Sequence, residues 1–287
     1  MSLWSQDASG CEGELFIVDV LRVVSWNCRR ASSQSPLWDY LLKLAPDVAL
    51  LQEVGTIPAF VQQQFAILQR RAVQKRGGLQ RFTTAVLVRG KLDSEVVLAA
   101  TEDWVSKELA HFSGNLVGVR VVPDSGPPLM AISVHSPAWP LDRARVAGID
   151  VTKVRLSQNA DVWAADLLWA GLQCWLRESD RHWIVAGDFN SSPTFDEGPG
   201  GARGNQEYLE RMAGLGLVEC LRRAQGVLTP TFRSSRSPAV KHQIDHLFVS
   251  AALSDNLRSC NVGPQSVVFG ANLSDHLPII AEFDALC

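Results

Sequence analysis

One unit recurs along this chain and constrains its fold more than any other feature. A short run rich in Val, Ile and Leu stops abruptly in a chemically capable polar residue. Residues 21–26 (LRVVSW) lead into Asn27, and residues 48–51 (VALL) lead into Gln52 and Glu53. Residues 129–134 (LMAISV) lead into His135, and residues 183–186 (WIVA) lead into Gly187, Asp188 and Asn190. Near the C-terminus the order changes: Asp245 sits inside the strand-like stretch 242–250 (HQIDHLFVS), and Asp275 and His276 precede a strand expected over 277–283. The runs have strand length and strand composition. A sheet covered on both faces leaves its strand ends as the place where charged groups meet water. Ends bearing Asn, Glu, His and Asp therefore predict one concave polar site on a rigid scaffold.

Helical signals fall between these runs. Ser35 followed by Pro36 reads as a cap with proline at the first helical position, after which Leu37, Tyr40, Leu41 and Leu44 line one face. The strongest helical pattern covers 159–176, where Val162, Trp163, Leu167, Trp169, Leu172 and Leu176 recur at helical spacing and read as core. A third helix is expected over 206–213. Mixed strands and helices of this kind predict stacked layers, sheets inside and helices outside.

The 287 residues are 46% hydrophobic and 20% charged, a globular composition, and a chain this long buries about 75% of its unfolded surface without a disulfide or metal staple. No repeat or linker divides it, so residues 1–19 are expected to form a partly flexible extension and 20–287 a single domain. The stretch 197–204 (EGPGGARG) reads as a surface loop, and P-loop, G-x-G-x-x-G, G-x-S-x-G and H-E-x-x-H patterns are absent. Cys11, Cys28, Cys174, Cys220, Cys260 and Cys287 lack C-x-x-C spacing and read as scattered thiols in a reducing compartment, though their even number leaves bridges open. The start MSLWSQDASG lacks the features of a secretory signal, and the apolar run 15–26 is broken by Asp19 and Arg22 and is too short to span a bilayer. A soluble cytoplasmic protein, monomeric by default, is the expectation.

A net charge of −3 argues against a protein that coats nucleic acid by charge alone. Residues 70–92 are nevertheless locally basic, with Arg70, Arg71, Lys75, Arg76, Arg81, Arg89 and Lys91 and no acid between them. That stretch reads either as a solvated basic loop and strand or as a phosphate-facing patch.

Taken in order, SWN (25–27), LLQE (50–53), SVHS (133–136), GDFN (187–190), QIDHLFVS (243–250) and SDHLPI (274–279) resemble the motifs of the endonuclease/exonuclease/phosphatase superfamily, in the style of its deoxyribonuclease-like branch. The resemblance spans roughly 20–283. It implies an α/β fold, a four-layer sandwich of two packed mixed β-sheets flanked by helices. It also implies a magnesium (Mg2+) or manganese (Mn2+) cofactor, since hydrolysing a phosphodiester needs a hard cation to neutralise phosphoryl oxygens.

By the same resemblance Glu53 is the principal metal ligand, with Asn27 and Asp275 close to the ion or its water. Asp188 orients or deprotonates the attacking water, and Asn190 bonds a phosphate oxygen without repelling it. Asp245 orients His276 and favours its charged form, and His135 is the candidate general acid. Alone, Glu53 would read as an ion-pair partner, His135 as a structural histidine, and Asp188–Asn190 as an Asx-type turn. Arg29 stands where some apurinic endonucleases carry a second acid, so it is read as a phosphate contact. Arg233, Arg236 and Lys241, beside Phe232, suit a phosphate backbone and a stacked base, or an ordinary exposed loop.

The implied activity is metal-assisted attack of water on phosphorus in a nucleic acid substrate, DNA or RNA. A phosphatase or phospholipase C-type hydrolase of a small or lipid phosphoester is the alternative, with Trp139-Pro140-Leu141 as a possible exposed apolar loop. An inactive binding scaffold is a third reading, opposed by the full set of acids and histidines.

Overall fold

A computed structural model describes residues 20–176, 182–198, 201–235 and 239–284. In chain order its strands are β1 (Leu21–Ala31), β2 (Val48–Val54), β3 (Ala66–Val73), β4 (Leu79–Val88), β5 (Gly90–Val96), β6 (Leu116–Pro123) and β7 (Leu129–His135). There follow β8 (His182–Asp188), β9 (Leu217–Glu219), β10 (Phe232–Arg233), β11 (Val240–His242), β12 (Asp245–Ser250), β13 (Leu257–Val262) and β14 (Ile279–Phe283). One sheet has the order β13-β14-β1-β2-β4-β3, a second the order β5-β6-β7-β8-β12-β9, and β10 and β11 form a separate ribbon.

Each large sheet is mixed. β1 runs parallel to β2 and β7 parallel to β8, while their outer neighbours β14, β4, β6 and β12 pair antiparallel. A parallel pair needs a crossover, and both crossovers carry a helix that covers the outer face of its own sheet. Helix Leu37–Lys43 lies between β1 and β2 and buries Leu37, Trp38 and Leu41 against Val24, Trp26, Ala49 and Leu51. Helix Ala164–Leu176 lies between β7 and β8 and buries Leu167, Leu168 and Leu172 against Ile132, Val134, Trp183 and Val185.

The other faces of the two sheets meet. Leu21, Val23, Leu50 and Val86 of the first sheet pack with Val119, Ala131, Ile184 and Leu247 of the second. Each such Leu, Ile or Val withdrawn from water contributes about 1.5–3 kcal/mol. The result is helix, sheet, sheet, helix: the four-layer α/β sandwich that the resemblance implies.

Three sequence expectations shift in their bounds. The helix expected over 159–176 starts at Ala164. Val162 and Trp163 are not helical, because the Val162 carbonyl accepts from Leu141 N–H (2.8 Å) and so serves a neighbouring loop. The strand expected from 277 begins at Ile279, and the third helix covers Asn205–Gly214. Cys28, Cys174, Cys220 and Cys260 are free thiols. The N-terminal extension with Cys11, the C-terminal Cys287 and the candidate Arg236 lie outside the described residues. Among the described residues no helix is long and apolar enough to cross a membrane.

Candidate active site

Alternation along the strands places the site on the seam between the sheets. In β1, Leu21 and Val23 face the inter-sheet core, so Ser25 and Asn27 follow on the same face. In the second sheet His135, Asp188 and Asp245 form one row, since Asp188 is the register partner of both His135 and Asp245. In the first sheet Asn27 is the partner of Gln52. Gln52 then ties the sheets together: its Nε2 donates to Ser133 Oγ (3.0 Å), and Ser133 Oγ donates to Leu51 O (3.2 Å).

Glu53 should by alternation follow Leu51 toward the outer helices. Its backbone instead takes φ 47°, the β2–β4 register slips between Leu51 and Val54, and its carboxylate lines the rim cavity. Arg29 (φ 47°), Arg30 (φ 60°) and Asn190 (φ 50°) share the left-handed region around the same cavity. Each non-glycine residue held there costs on the order of 1–3 kcal/mol, so the concentration of strain marks side chains aimed by the surrounding structure. Gly187 has φ 151°, and a Cβ there would meet Val134 O at 1.9 Å, so only glycine lets β8 approach β7 beside the site.

The cavity has a volume of about 350 Å³ and is lined by Glu53, His135, Asp188, Asn190, Asp275 and His276, with Arg29, Arg30, Phe82, Trp139 and Phe232 among its walls. His276 Nδ1 donates to both oxygens of Asp245 (3.0 and 2.9 Å), and Thr231 Oγ1 donates to Asp245 Oδ2 (2.6 Å). Burial alone would disfavour the charged imidazole, but Asp245, Asp188 and Asp275 push His276 up to about 10. Trp26 Nε1 fixes the ring's backbone by donating to His276 O (2.8 Å). Asp188 is buried, and burial pushes its carboxyl up to about 6 against the pull of His276, with Asp245 adding to the rise. Asn27 Nδ2 donates to Asp188 Oδ2 (3.0 Å), and Asn190 N donates to Asp188 Oδ1 (3.0 Å). Asn190 Nδ2 donates to Ser136 O (2.8 Å), leaving one amide N–H for another acceptor.

Asn115 sets the tautomer of His135. Its Nδ2 donates to His135 O (3.0 Å) and lies 3.3 Å from His135 Nδ1, which makes Nδ1 an acceptor and puts the proton on Nε2. That Nε2 lies 3.7 Å from Glu53 Oε1, and Arg30 Nε lies 3.5 Å from Glu53 Oε2. Burial would raise the Glu53 carboxyl, but His135, Arg30 and His276 together hold it below its ordinary value, so it is ionised.

Among the described residues one trio of side chains has donors close enough for a single cation, and two further carboxylates line the cavity. Asp188, Asp245 and His276 offer atoms within 4.8 Å of one another. A charged His276 already bonded to Asp245 has no lone pair to give, so this trio holds a proton better than a metal. Glu53 and Asp275 line the cavity as carboxylates, and the Asn27 carboxamide oxygen accepts Arg29 N–H (3.0 Å). An ionised carboxylate with further oxygen donors and access to water fits a hard divalent cation.

The basic candidates are less concentrated. Arg29 is drawn to Asp275 (3.7 Å) and donates to Asn272 Oδ1 (2.9 Å) at the cavity edge. Arg233 lies over the Phe269 ring (4.3 Å), and neither it nor the exposed Lys241 lines the cavity. In the basic stretch, Arg71 donates to Gln80 O within the β3–β4 hairpin, Arg70 pairs with Glu95 of β5 and Arg89 donates to Pro46 O before β2, so these three serve the fold. Lys75 and Arg76 do not: they line a cleft of about 820 Å³ with His111, Asp142, Arg143, Arg145 and Asp161, where Arg143 pairs with Asp161 and Arg145 with Glu108. The segment 139–141 is no exposed apolar loop, because Leu141 is buried and Trp139 packs on Phe112 (5.9 Å between rings). Thr231 and Asn115 are missing from the sequence-derived set. Both are buried polar residues that act only through a partner distant in the chain, and the sequence carries no signal for either.

No curated protein sequence matches this chain. Its fold is similar to that of the 3′ phosphatase NExo from Neisseria, solved with a product DNA hairpin, at 18% identity over 92% of this chain and 99% of that one (TM-score 0.64). An AP endonuclease from Archaeoglobus fulgidus is similar at 16% identity over 92% and 100% of the two chains (TM-score 0.65). The catalytic domain of APE2 from Xenopus laevis is similar at 17% identity over 93% of each chain (TM-score 0.62). A family model matches residues 24–276, which run from β1 through His276, and the chain belongs to the endonuclease/exonuclease/phosphatase family.

Proposed function

We propose that this protein is a divalent-metal-dependent nuclease that hydrolyses phosphodiesters of DNA or RNA. The observation that carries the reading is the meeting of Glu53, His135, Asp188, Asn190 and His276 in one cavity, each with a distinct charge or proton state. Magnesium or manganese, when bound, neutralises phosphoryl oxygens and lowers the proton affinity of water. Glu53 would hold the ion, with Asn27 and Asp275 beside it. The imidazolium of His276, kept charged by Asp245, offers Nε2–H to a phosphoryl oxygen. Asp188, poised near neutrality, takes a proton from the attacking water. The free N–H of Asn190 steadies a second phosphoryl oxygen, and Nε2–H of His135 donates a hydrogen bond to the departing oxygen, whose proton comes from water.

A nucleic acid is favoured as substrate by the cleft that bears Lys75 and Arg76, which make no ion pair among the described residues. The segment 137–139 lines the catalytic cavity and 140–143 lines that cleft, so a polyanion engaging one is delivered to the other. The similarity to a 3′ phosphatase adds terminal phosphomonoesters to the test. Purified protein is incubated with plasmid DNA, single-stranded DNA, RNA and a 3′-phosphorylated oligonucleotide, with Mg2+, Mn2+ or chelator. Metal-dependent cleavage of at least one nucleic acid is expected. Inert nucleic acids beside turnover of sphingomyelin or a phosphoinositide would replace this reading with a lipid phosphoesterase.

A further inference from the structure

Two consecutive arginines stand where β1 leaves its ladder. Between Asn27 and Ala31 the β1–β2 register slips, and Arg29 and Arg30 both hold left-handed backbone there (φ 47° and 60°). One guanidinium thereby reaches each of the two carboxylates assigned to the cation. Arg29 Nε lies 3.7 Å from Asp275 Oδ2, and Arg30 Nε lies 3.5 Å from Glu53 Oε2. The two arginines are held differently. Arg29 also donates to Asn272 Oδ1 (2.9 Å), which anchors it. The Arg30 side chain is 68% exposed and makes no hydrogen bond among the described residues. Beyond its long contact with Glu53 it only leans over the Phe82 ring, 5.4 Å from the centroid.

We propose that Arg30 is an exchangeable counterion: it neutralises Glu53 in the metal-free protein, yields that carboxylate to the divalent cation, and then binds a phosphate oxygen of the nucleic acid. The inference rests on the reading of Glu53 as metal ligand in a nuclease. The Glu53 side chain is ionised and only 24% exposed, so without a metal it needs a cationic neighbour. A divalent charge on the same carboxylate repels a guanidinium beside it. The existing contact is long and solvent-exposed on the arginine side, and ion pairs of that kind are weak. Glu53 is also the one acid that Arg30 meets among the described residues, so a displaced Arg30 has no second carboxylate to turn to. An incoming polyanion supplies the missing partner, and a planar guanidinium with its fork of N–H donors matches phosphate oxygens. The place is right, since Arg30 lines the same cavity as Asn190 and His276, the groups assigned to phosphoryl oxygens. Metal and nucleic acid then favour each other's binding by the same factor, because each removes the competitor of the other.

The test first titrates Mn2+ into wild type, Arg30→Ala and Arg30→Lys with no nucleic acid present, following the paramagnetic ion. Arg30→Ala is expected to bind Mn2+ about two- to fivefold more tightly than wild type, the range set by an exposed ion pair. Arg30→Lys keeps the competing charge and is expected to stay nearer to wild type. Unchanged or weaker Mn2+ binding in Arg30→Ala overturns the inference alone. The second measurement follows binding of labelled single-stranded DNA and RNA in a His276→Ala background, where cleavage is slow, with Mn2+ and with chelator. Adding Arg30→Ala is expected to weaken binding about tenfold with Mn2+ and less than about twofold with chelator. An equal loss in both media marks an ordinary surface contact and overturns the exchange. Wild type that binds no Mn2+ would bring down Glu53 as ligand and this inference together. A His276→Ala parent that holds neither nucleic acid in either medium would bring down the nuclease reading as well.

Discussion

Replacing Asp166 by Asn isolates what a buried acid costs this fold. In the native protein the carboxyl is pushed by burial from 3.8 to about 7, against a hydrogen bond from Trp163 and the pull of Arg211 and Arg155, with Glu207 adding to the rise. Between those values the native state holds a proton that the unfolded chain has released, so the contribution of Asp166 falls as pH rises and is fully lost above about pH 7. From pH 5 to pH 8 about two units of that shift are traversed. At about 1.36 kcal/mol per unit this is about 3 kcal/mol. Asn keeps an oxygen for Trp163 N–H and has nothing to titrate. Relative to wild type, Asp166→Asn is therefore expected to be near neutral below about pH 4, about 1.6 kcal/mol more stable at pH 5 and about 4.4 kcal/mol more stable at pH 8. Urea unfolding at both pH values, with stability from linear extrapolation, reads the difference directly. Equal pH dependence in the two proteins would refute the argument, because it would mean that Asp166 is solvated or paired when ionised.

Three further outcomes follow from the site. His276→Ala is expected to cut turnover by about 10²- to 10⁴-fold, and a variant as active as wild type removes His276 from the mechanism. Glu53→Gln is expected to raise the Mn2+ concentration for half-saturation at least about tenfold, measured by titration of the paramagnetic ion; unchanged binding would move the metal away from Glu53. Gly187→Ala forces a Cβ to 1.9 Å from Val134 O and is expected to cost about 3 kcal/mol in urea unfolding, and a neutral result would show that β7 and β8 yield there.

Much of this molecule is legible in its sequence because the seam between two sheets imposes period two on every strand. Leu21 and Val23 announce the face on which Asn27 emerges, and Ile184 and Ala186 announce the face of Asp188. The contact between Asp245 and His276 is another matter. Their separation of 31 residues carries no physical signal, and only the resemblance supplied it. Local backbone exceptions are also silent: nothing in Leu-Gln-Glu predicts φ 47° at Glu53. The helix expected over 159–176 starts only at Ala164 because Val162 and Trp163 are apolar for a loop's reason: Val162 is buried and its carbonyl pairs with Leu141 N–H. Helical spacing reads the tryptophans as core and cannot reveal that Trp163 Nε1 has no hydrogen-bond partner among the described residues.

Asn27, Glu53 and Asp275 stand at the end of one sheet, while His135, Asp188 and Asp245 stand at the end of the other. Neither half possesses a reaction centre, so secondary structure alone can form without conferring any chemistry. Regain of turnover during refolding should therefore lag the far-ultraviolet circular dichroism signal and keep step with burial of the leucines and valines between the sheets. Turnover that returned with the dichroism would show that one sheet suffices.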